Sequence, residues 1–154
     1  MSSERIGIFV ASVTGLADIC AEEIAAALDS VGAANETRRM DGLDVEALAG
    51  FDTILIVSST YGHGEIPDNG QALFESIERC DSLAGKKFLV FGLGDRTFSD
   101  TFCRAGERWD ELLESKGAIR IAPLERHDAC SGTLAEDEAA AWAARWAATL
   151  KLAA

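Results

Sequence analysis

The residues best suited to chemistry lie in a short turn near the amino terminus. Ser12, Thr14 and Gly15 follow an apolar run over 6–11 and precede apolar residues at helical spacing. The first amides of a helix have no partner within it and carry the positive end of its dipole, so the turn is predicted to bind an anion. Glycine allows close approach of the backbone. The alternative is an ordinary strand–helix junction in which Thr14 caps the helix.

The charge of this stretch decides how an anion would be held. No Lys or Arg occurs between positions 6 and 34. Backbone amides and hydroxyl groups alone would therefore bind the anion.

Two later loops, each rich in glycine, could place an aromatic ring against a flat ligand. Tyr61 lies in a loop over 58–69 and Phe98 in a loop over 92–103. The alternative role for Tyr61 is to cap the edge of the sheet. Gly92 and Gly94 do not make a dinucleotide fingerprint, which follows the first strand and needs a third glycine. With the anion-binding turn, these loops predict a site for a flat aromatic group that carries a phosphate.

The elements that would position these loops alternate between strand and helix. Continuous apolar strands between amphipathic helices are typical of a parallel sheet covered on both faces. We therefore predict one α/β domain over 1–154, a doubly wound five-stranded parallel sheet with helices on both faces. Ligands of such sheets bind at the carboxyl ends of the strands, where the loops after strands one, three and four meet. The predicted strands cover 5–11, 36–40, 52–58, 87–92 and 118–124, and the predicted helices cover 15–31, 68–80, 102–116 and 136–150, with a weak helical segment at 45–49.

Composition and charge limit the possible partners. The 154 residues carry a net charge of −12, which argues against nucleic acid and anionic membranes and favours a partner with a basic face. The alternative is that the acidity only aids solubility. No apolar run is long enough to span a membrane, and the polar start lacks a signal sequence, so we expect a soluble cytoplasmic monomer. The four cysteines include no C-x-x-C pair, which predicts free buried thiols and no metal site.

Three segments of the chain, in order, resemble the flavodoxin family. SVTGLAD resembles its phosphate loop, STYGHGEIPDN the loop after the third strand, and GLGDRTFSDTFCRAG the loop after the fourth. The likeness covers nearly the whole chain and extends to the flavin domains of diflavin reductases. DTFC and the Trp-containing last helix are similar to short MioC-type flavodoxins. The fifth strand is expected to run straight through 119–124, without the loop that divides it in long-chain flavodoxins.

The resemblance implies FMN as the cofactor. Tyr61 and Phe98 would flank the isoalloxazine ring. Leu16 stands where many relatives have Thr or Asn, so a side-chain contact is lost, and Phe98 replaces the commoner Tyr or Trp. The phosphate would be held by Ser12, Val13, Thr14, Gly15, Leu16 and Ala17, and the ring and ribityl chain would be lined by Ser59, Thr60, Gly62, Leu93, Gly94, Asp95, Phe102 and Cys103.

Several charged residues on the same side of the sheet are further candidates. Asp128, after the fifth strand, could reach the ribityl chain. His63 either tunes the flavin through its charge or is a solvated loop residue, and His127 is assigned no role. The acids that would resist added negative charge on the flavin are Glu65, Asp68, Asp95, Asp100 and Asp128.

The resemblance implies a one-electron carrier, without catalytic residues, that exchanges electrons with a flavodoxin or ferredoxin reductase-type donor and a redox-enzyme acceptor. An FMN-dependent NAD(P)H:quinone reductase on the same fold is the alternative, and a flavin-free interaction module is a third. Aromatic rings on both faces of the flavin would block hydride transfer, which favours the carrier. A receiver domain is excluded because Ser12 and Ser59 stand where it needs acids, and a P-loop NTPase because G-x-x-x-x-G-K is absent.

Overall fold

The computed structural model describes residues 4–12, 15–60, 64–95 and 103–148, in which strands and helices alternate. The strands are β1 (Arg5–Ala11), β2 (Ala34–Arg39), β3 (Thr53–Ser58), β4 (Lys87–Gly94), β5 (Ile119–Arg120) and β6 (Glu125–Asp128). The helices are α1 (Leu16–Ser30), α2 (Asp68–Arg79), α3 (Arg104–Ser115) and α4 (Ala135–Ala147), and a short 3-10 helix covers Val45–Leu48.

The strands form one parallel sheet in the order β2-β1-β3-β4-β5, with β6 also paired to β4. Successive side chains of a strand point to opposite faces. Ile8 and Val10 of β1 therefore pack in the core under α1 and α4. Phe9 and Ala11 pack in the second core, which contains residues of α2 and α3. The predicted doubly wound α/β architecture, with helices on both faces, is confirmed.

The prediction of one uninterrupted fifth strand over 118–124 is wrong. The pairs Phe88↔Arg120 and Phe91↔Glu125 show that β4 advances by three residues while the other chain advances by five. The ladder reaches the Ile121 N–H, which donates to the Phe88 carbonyl at 3.1 Å. Pro123, which has no N–H to donate, then interrupts the pairing. The fifth position of the sheet is therefore filled by two segments, β5 and β6.

The cysteines are all free thiols, as predicted, but they are not all buried. Cys20 and Cys103 are buried, Cys80 is partly buried and Cys130 is exposed. The prediction of buried thiols is therefore wrong for Cys130, which lies in the loop after β6. Among the residues that the structure describes, no helix is both long and apolar enough to cross a membrane.

Candidate functional site

Four strands end together at the carboxyl edge of the sheet. Ala11 pairs with Ser58 and Ser58 with Gly92, and Gly94 of the longer β4 pairs with Asp128. Main-chain bonds extend two of these ladders into the loops, because the Ser59 N–H donates to the Ala11 carbonyl and the Ala129 N–H donates to the Gly94 carbonyl, both at 2.9 Å. The loops predicted to form the site therefore leave the sheet side by side.

The turn between β1 and α1 leaves room for a ligand. Gly15 has a left-handed φ of 92°, and a Cβ atom built on it would meet nothing within 4 Å. Its N–H donates to the Ser12 hydroxyl at 2.8 Å. The α1 ladder begins where the Ile19 N–H donates to the Gly15 carbonyl at 3.2 Å, so the amides of 16–18 precede it. Ala17 is fully buried, and it packs in the core that contains residues of α4.

A positively charged side chain, absent from the sequence of the turn itself, lies beside the turn in the structure. Arg39, the last residue of β2, donates from Nη1 to both carboxylate oxygens of Asp18 at 2.6 and 2.7 Å. Its Nε also donates to Asp41 at 3.1 Å. Hydrogen bonds to Asp18 and then to Asp41 raise the pKa of the guanidinium above its usual range. Sequence reasoning missed Arg39 because only the pairing of β2 with β1 brings it next to α1.

The loop after β3 is tied to α3. Ser58 is fully buried, and its hydroxyl accepts from the Trp109 indole N–H at 3.2 Å and donates to the Ser59 carbonyl at 2.9 Å. The hydroxyl of Thr60 accepts from the Ala105 N–H at 3.4 Å. Ser59 and Thr60 are partly buried at the edge of the sheet, where the flavin ring and ribityl chain are predicted to lie.

The loop after β4 meets the start of α3 in close packing. The sulfur of Cys103 lies 3.6 Å from the carbonyl oxygens of Gly92 and His127, and its single S–H can donate to either. Burial raises the pKa of this thiol to about 12, so it is protonated at neutral pH. Cys103 and Leu93 are both buried, and Leu93 packs in the core that contains residues of α1 and α4.

An acidic cluster forms where β4 and β6 end. The Cys130 thiol donates to Asp95 at 3.1 Å, and the Cys130 N–H donates to Asp128 at 2.9 Å. Asp95 and Asp128, predicted from separate loops, are thus brought together, with Cys130 as a neighbour that the sequence did not indicate. Both acids are partly buried, so negative charge is concentrated on the side where the ribityl chain is predicted.

His127, which the sequence left without a role, is a buried member of β6. It is 3% exposed, and its Nδ1 contacts a carboxylate oxygen of Glu138 on α4. The pair joins the last strand to the last helix, next in sequence to Asp128 of the acidic cluster. No sequence signal identified His127, because the polar segment Glu125–Asp128 becomes a strand only by pairing with β4, which turns His127 inward between Arg126 and Asp128.

Some predicted site residues lie outside the described residues, and the predictions about them stay predictions. They are Val13, Thr14, Tyr61, Gly62, His63, Phe98, Asp100 and Phe102.

A family model described as Flavodoxin matches residues 8–142. The chain therefore belongs to the flavodoxin family, as the three loop motifs implied. Protein MioC of Escherichia coli strain K12 is 31% identical over 147 residues, which cover 95% of this chain and 98% of MioC. This similarity over the full length places the chain with the MioC-type flavodoxins.

Two further comparisons agree with that assignment. A solved structure of a mutant flavodoxin from Pseudomonas aeruginosa is 32% identical with a TM-score of 0.82, covering 95% of this chain and 98% of the other. The flavoprotein alpha-component of NADPH sulfite reductase from Thiocapsa roseopersicina is 37% identical over 126 residues, 79% of this chain but 24% of that protein. The likeness to the larger flavoprotein is thus confined to one part of it.

Proposed function

We propose that this protein binds FMN at the carboxyl edge of its sheet and carries single electrons between protein partners. The observation that carries the proposal is the meeting of the open Gly15 turn with the ends of β3, β4 and β6. Membership of the flavodoxin family and similarity to a sulfite reductase flavoprotein support the choice of FMN.

The described residues fit a flavin phosphate at one end of the site. The Gly15 turn is open, and the first amides of α1 point their dipole towards it. The pairing of Arg39 with Asp18 offsets the negative charge of the one acid in the first turn of that helix. Ser12, Gly15, Leu16 and Ala17 would hold the phosphate together with Val13 and Thr14.

The other end of the site fits the ribityl chain and the ring. Ser59 and Thr60 offer hydroxyl and backbone groups on one side, and Gly94 and Asp95 offer backbone groups on the other. When bound, FMN supplies the one- and two-electron redox chemistry that side chains lack. The task of this chain is to hold the flavin, to place Asp95 and Asp128 where they resist additional negative charge, and to leave one edge for a partner.

The charge of the chain supports a basic partner. With a net charge of −12, weak and electrostatically steered docking to a reductase-type donor and a redox-enzyme acceptor fits a carrier that must also dissociate. The four free thiols support a reducing compartment, and we propose the cytoplasm.

Fluorescence titration of the apoprotein with FMN, followed by an activity assay, tests this function. We expect one FMN per chain to be bound with quenching, and the holoprotein to leave NADPH unoxidised, with or without a quinone, until a reductase is added. Absence of FMN binding would contradict the assignment of the site. Rapid oxidation of NADPH by the holoprotein alone, coupled to quinone reduction, would instead establish an enzyme.

A further inference from the structure

Asn69, the second residue of α2, holds the end of β1 where the candidate phosphate turn begins. Its side-chain oxygen accepts from the Ser12 N–H at 3.2 Å. Its side-chain nitrogen donates to the Val10 carbonyl at 3.3 Å. One amide group therefore bonds to the backbone on both sides of Ala11 and sets the direction in which the chain leaves the sheet.

Close packing keeps Asn69 in this position. A Cβ atom on the next residue, Gly70, would lie 3.0 Å from the Ala11 Cβ and 3.2 Å from the Met40 sulfur. Met40 directly follows β2, and its N–H donates to the same Val10 carbonyl at 3.0 Å. The start of α2 is thus pressed against the ends of β1 and β2, and Asn69 has little freedom to move away.

The Asn69 amide also reaches the charged residues beside the turn. Its nitrogen lies 3.4 Å from a carboxylate oxygen of Asp41, which is paired with Arg39. Arg39 is in turn paired with Asp18 in the first turn of α1. Starting at Ser12, a chain of hydrogen bonds and ion pairs therefore passes through α2 and the end of β2 and returns to the start of α1.

We propose that Asn69 is a positioning residue for the flavin phosphate, and that it makes the site select a phosphorylated flavin over riboflavin. The residue acts through Ser12: when the Ser12 N–H is held by Asn69, the Ser12 hydroxyl is placed to accept from the Gly15 N–H. Ser12 and Gly15 are then held in place before the ligand arrives, which lowers the entropy that binding must overcome. This inference rests on the proposed binding of FMN.

The test compares FMN and riboflavin, which differ only in the phosphate, in Asn69→Ala and in Asn69→Ser as a second variant. A role in positioning the phosphate turn predicts an FMN dissociation constant raised by roughly tenfold, as expected for loss of one or two hydrogen bonds, and a riboflavin constant changed by less than about twofold. As a second readout, inorganic phosphate should raise the thermal unfolding midpoint of the wild-type apoprotein more than sodium chloride of equal ionic strength, and the variants should lose this difference.

Asn35→Ala is the matched control. Asn35 also donates from its side-chain nitrogen to a carboxylate, Asp29 at 2.8 Å, and to a backbone carbonyl, Ala33 at 3.0 Å. It lies near the start of β2, at the opposite edge of the sheet from the candidate site. Its loss should leave both flavin constants and the effect of inorganic phosphate unchanged.

The outcomes separate this inference from the proposed function. If the wild-type protein binds no FMN, the proposed function fails and the inference fails with it. A second outcome is that the wild-type protein binds FMN more tightly than riboflavin while the Asn69 variants keep the same ratio of the two dissociation constants. In that case only the role of Asn69 is overturned, and the proposed function stands. An equal loss of affinity for both flavins would also overturn it, because Asn69 would then support the fold or the ring. A wild-type protein that binds both flavins equally would show that the phosphate is not held at this turn.

Discussion

Gly94 and Cys103 are packed so closely that a Cβ atom on residue 94 would lie 2.5 Å from the Cys103 backbone nitrogen. Cys103 has a left-handed φ of 53°, which is rare for a residue other than glycine. Its sulfur lies 3.6 Å from carbonyl oxygens of β4 and β6. The start of α3 is therefore locked against the carboxyl end of the sheet, the edge at which the flavin is predicted to bind.

This contact predicts that Gly94→Ala harms both the fold and the flavin site. Backbone atoms must move to admit the methyl group, so we expect the free energy of unfolding of the apoprotein to fall by about 2 kcal/mol, as in overpacked cores. FMN affinity should fall as well, because residues 93–95 are displaced. Urea unfolding and flavin titration measure the two effects. Gly50→Ala is the control, because a Cβ atom on Gly50 would meet only the flexible end of Arg5, at 3.4 Å, and its effect on stability should be small. An effect of Gly94→Ala as small as that of Gly50→Ala would contradict close packing of Gly94 against Cys103.

The open turn at Gly15 predicts a large loss of binding when an acid is placed there. Gly15 and Gly32 both have positive φ, 92° and 75°, and a Cβ atom on either would meet nothing within 4 Å. Gly15→Asp and Gly32→Asp should therefore destabilise the apoprotein by a similar amount, about 1 kcal/mol. Only Gly15→Asp should abolish FMN binding, because its carboxylate lies where the phosphate is predicted. Equal FMN affinities in the two variants would show that the phosphate does not bind at this turn.

Burial of two thiols predicts both their reactivity and an alkaline loss of stability. Burial raises the pKa of Cys103 to about 12. The pKa of Cys20 is also raised to about 12, mainly by burial and to a smaller extent by the negative charges of Glu136, Glu138 and Glu23. Iodoacetamide at pH 8 should therefore label exposed Cys130 first and leave Cys20 and Cys103 unmodified, as read by mass spectrometry.

The same shifts give the sign of the pH effect. Because both folded-state pKa values lie above the ordinary value of 9.0, the thiols bind protons more tightly in the folded state than in the unfolded state. The contribution of these two thiols to the free energy of unfolding is thus fully present below pH 9 and is lost as the pH rises from 9 towards 12. Cys103→Ala should make the free energy of unfolding less dependent on pH in that interval, and an unchanged slope would contradict the assignment.

The acidity of the chain predicts steering of electron transfer to a basic acceptor. Asp68 is exposed at the start of α2, on the candidate flavin side, and Asp29 is exposed near the end of α1, on the opposite side. Stopped-flow transfer from reduced holoprotein to cytochrome c should slow as salt rises, because exposed charges are screened over roughly 10 Å at 0.1 M salt. Asp68→Lys should slow transfer more than Asp29→Lys. Transfer rates that change neither with salt concentration nor with either substitution would indicate that the acidity serves solubility only.

Much of the fold could be predicted because its strands are apolar throughout. Residues 54–57 are buried on both faces of the sheet, so their type alone identifies a central parallel strand. The fifth strand was harder to predict, because β6 consists of the polar residues Glu125–Asp128 and becomes a strand only by pairing with β4. The apolar residue Ile119, by contrast, is 60% exposed.

The site was predictable to the extent that its residues follow strands in the sequence. Ser12, Thr60 and Gly94 end or follow apolar strands, so topology alone brings them together. Arg39 and Asn69 join the phosphate turn only through tertiary contacts. No local pattern marks Arg39, and although Asn69 ends the quoted motif STYGHGEIPDN, nothing in that motif shows that its side chain reaches Ser12. Family motifs identify the loops, whereas the residues that hold those loops must be read from the packing of α2 and β2.

We propose that this chain carries single electrons on FMN. An anaerobic reductive titration of the holoprotein with dithionite, followed by visible absorbance, tests it most directly. We expect reduction in two resolved steps of one electron each, because Asp95 and Asp128 at the edge of the sheet would resist full reduction of a flavin bound there. Reduction of bound FMN in one unresolved two-electron step, together with direct oxidation of NADPH, would contradict one-electron transfer by this chain.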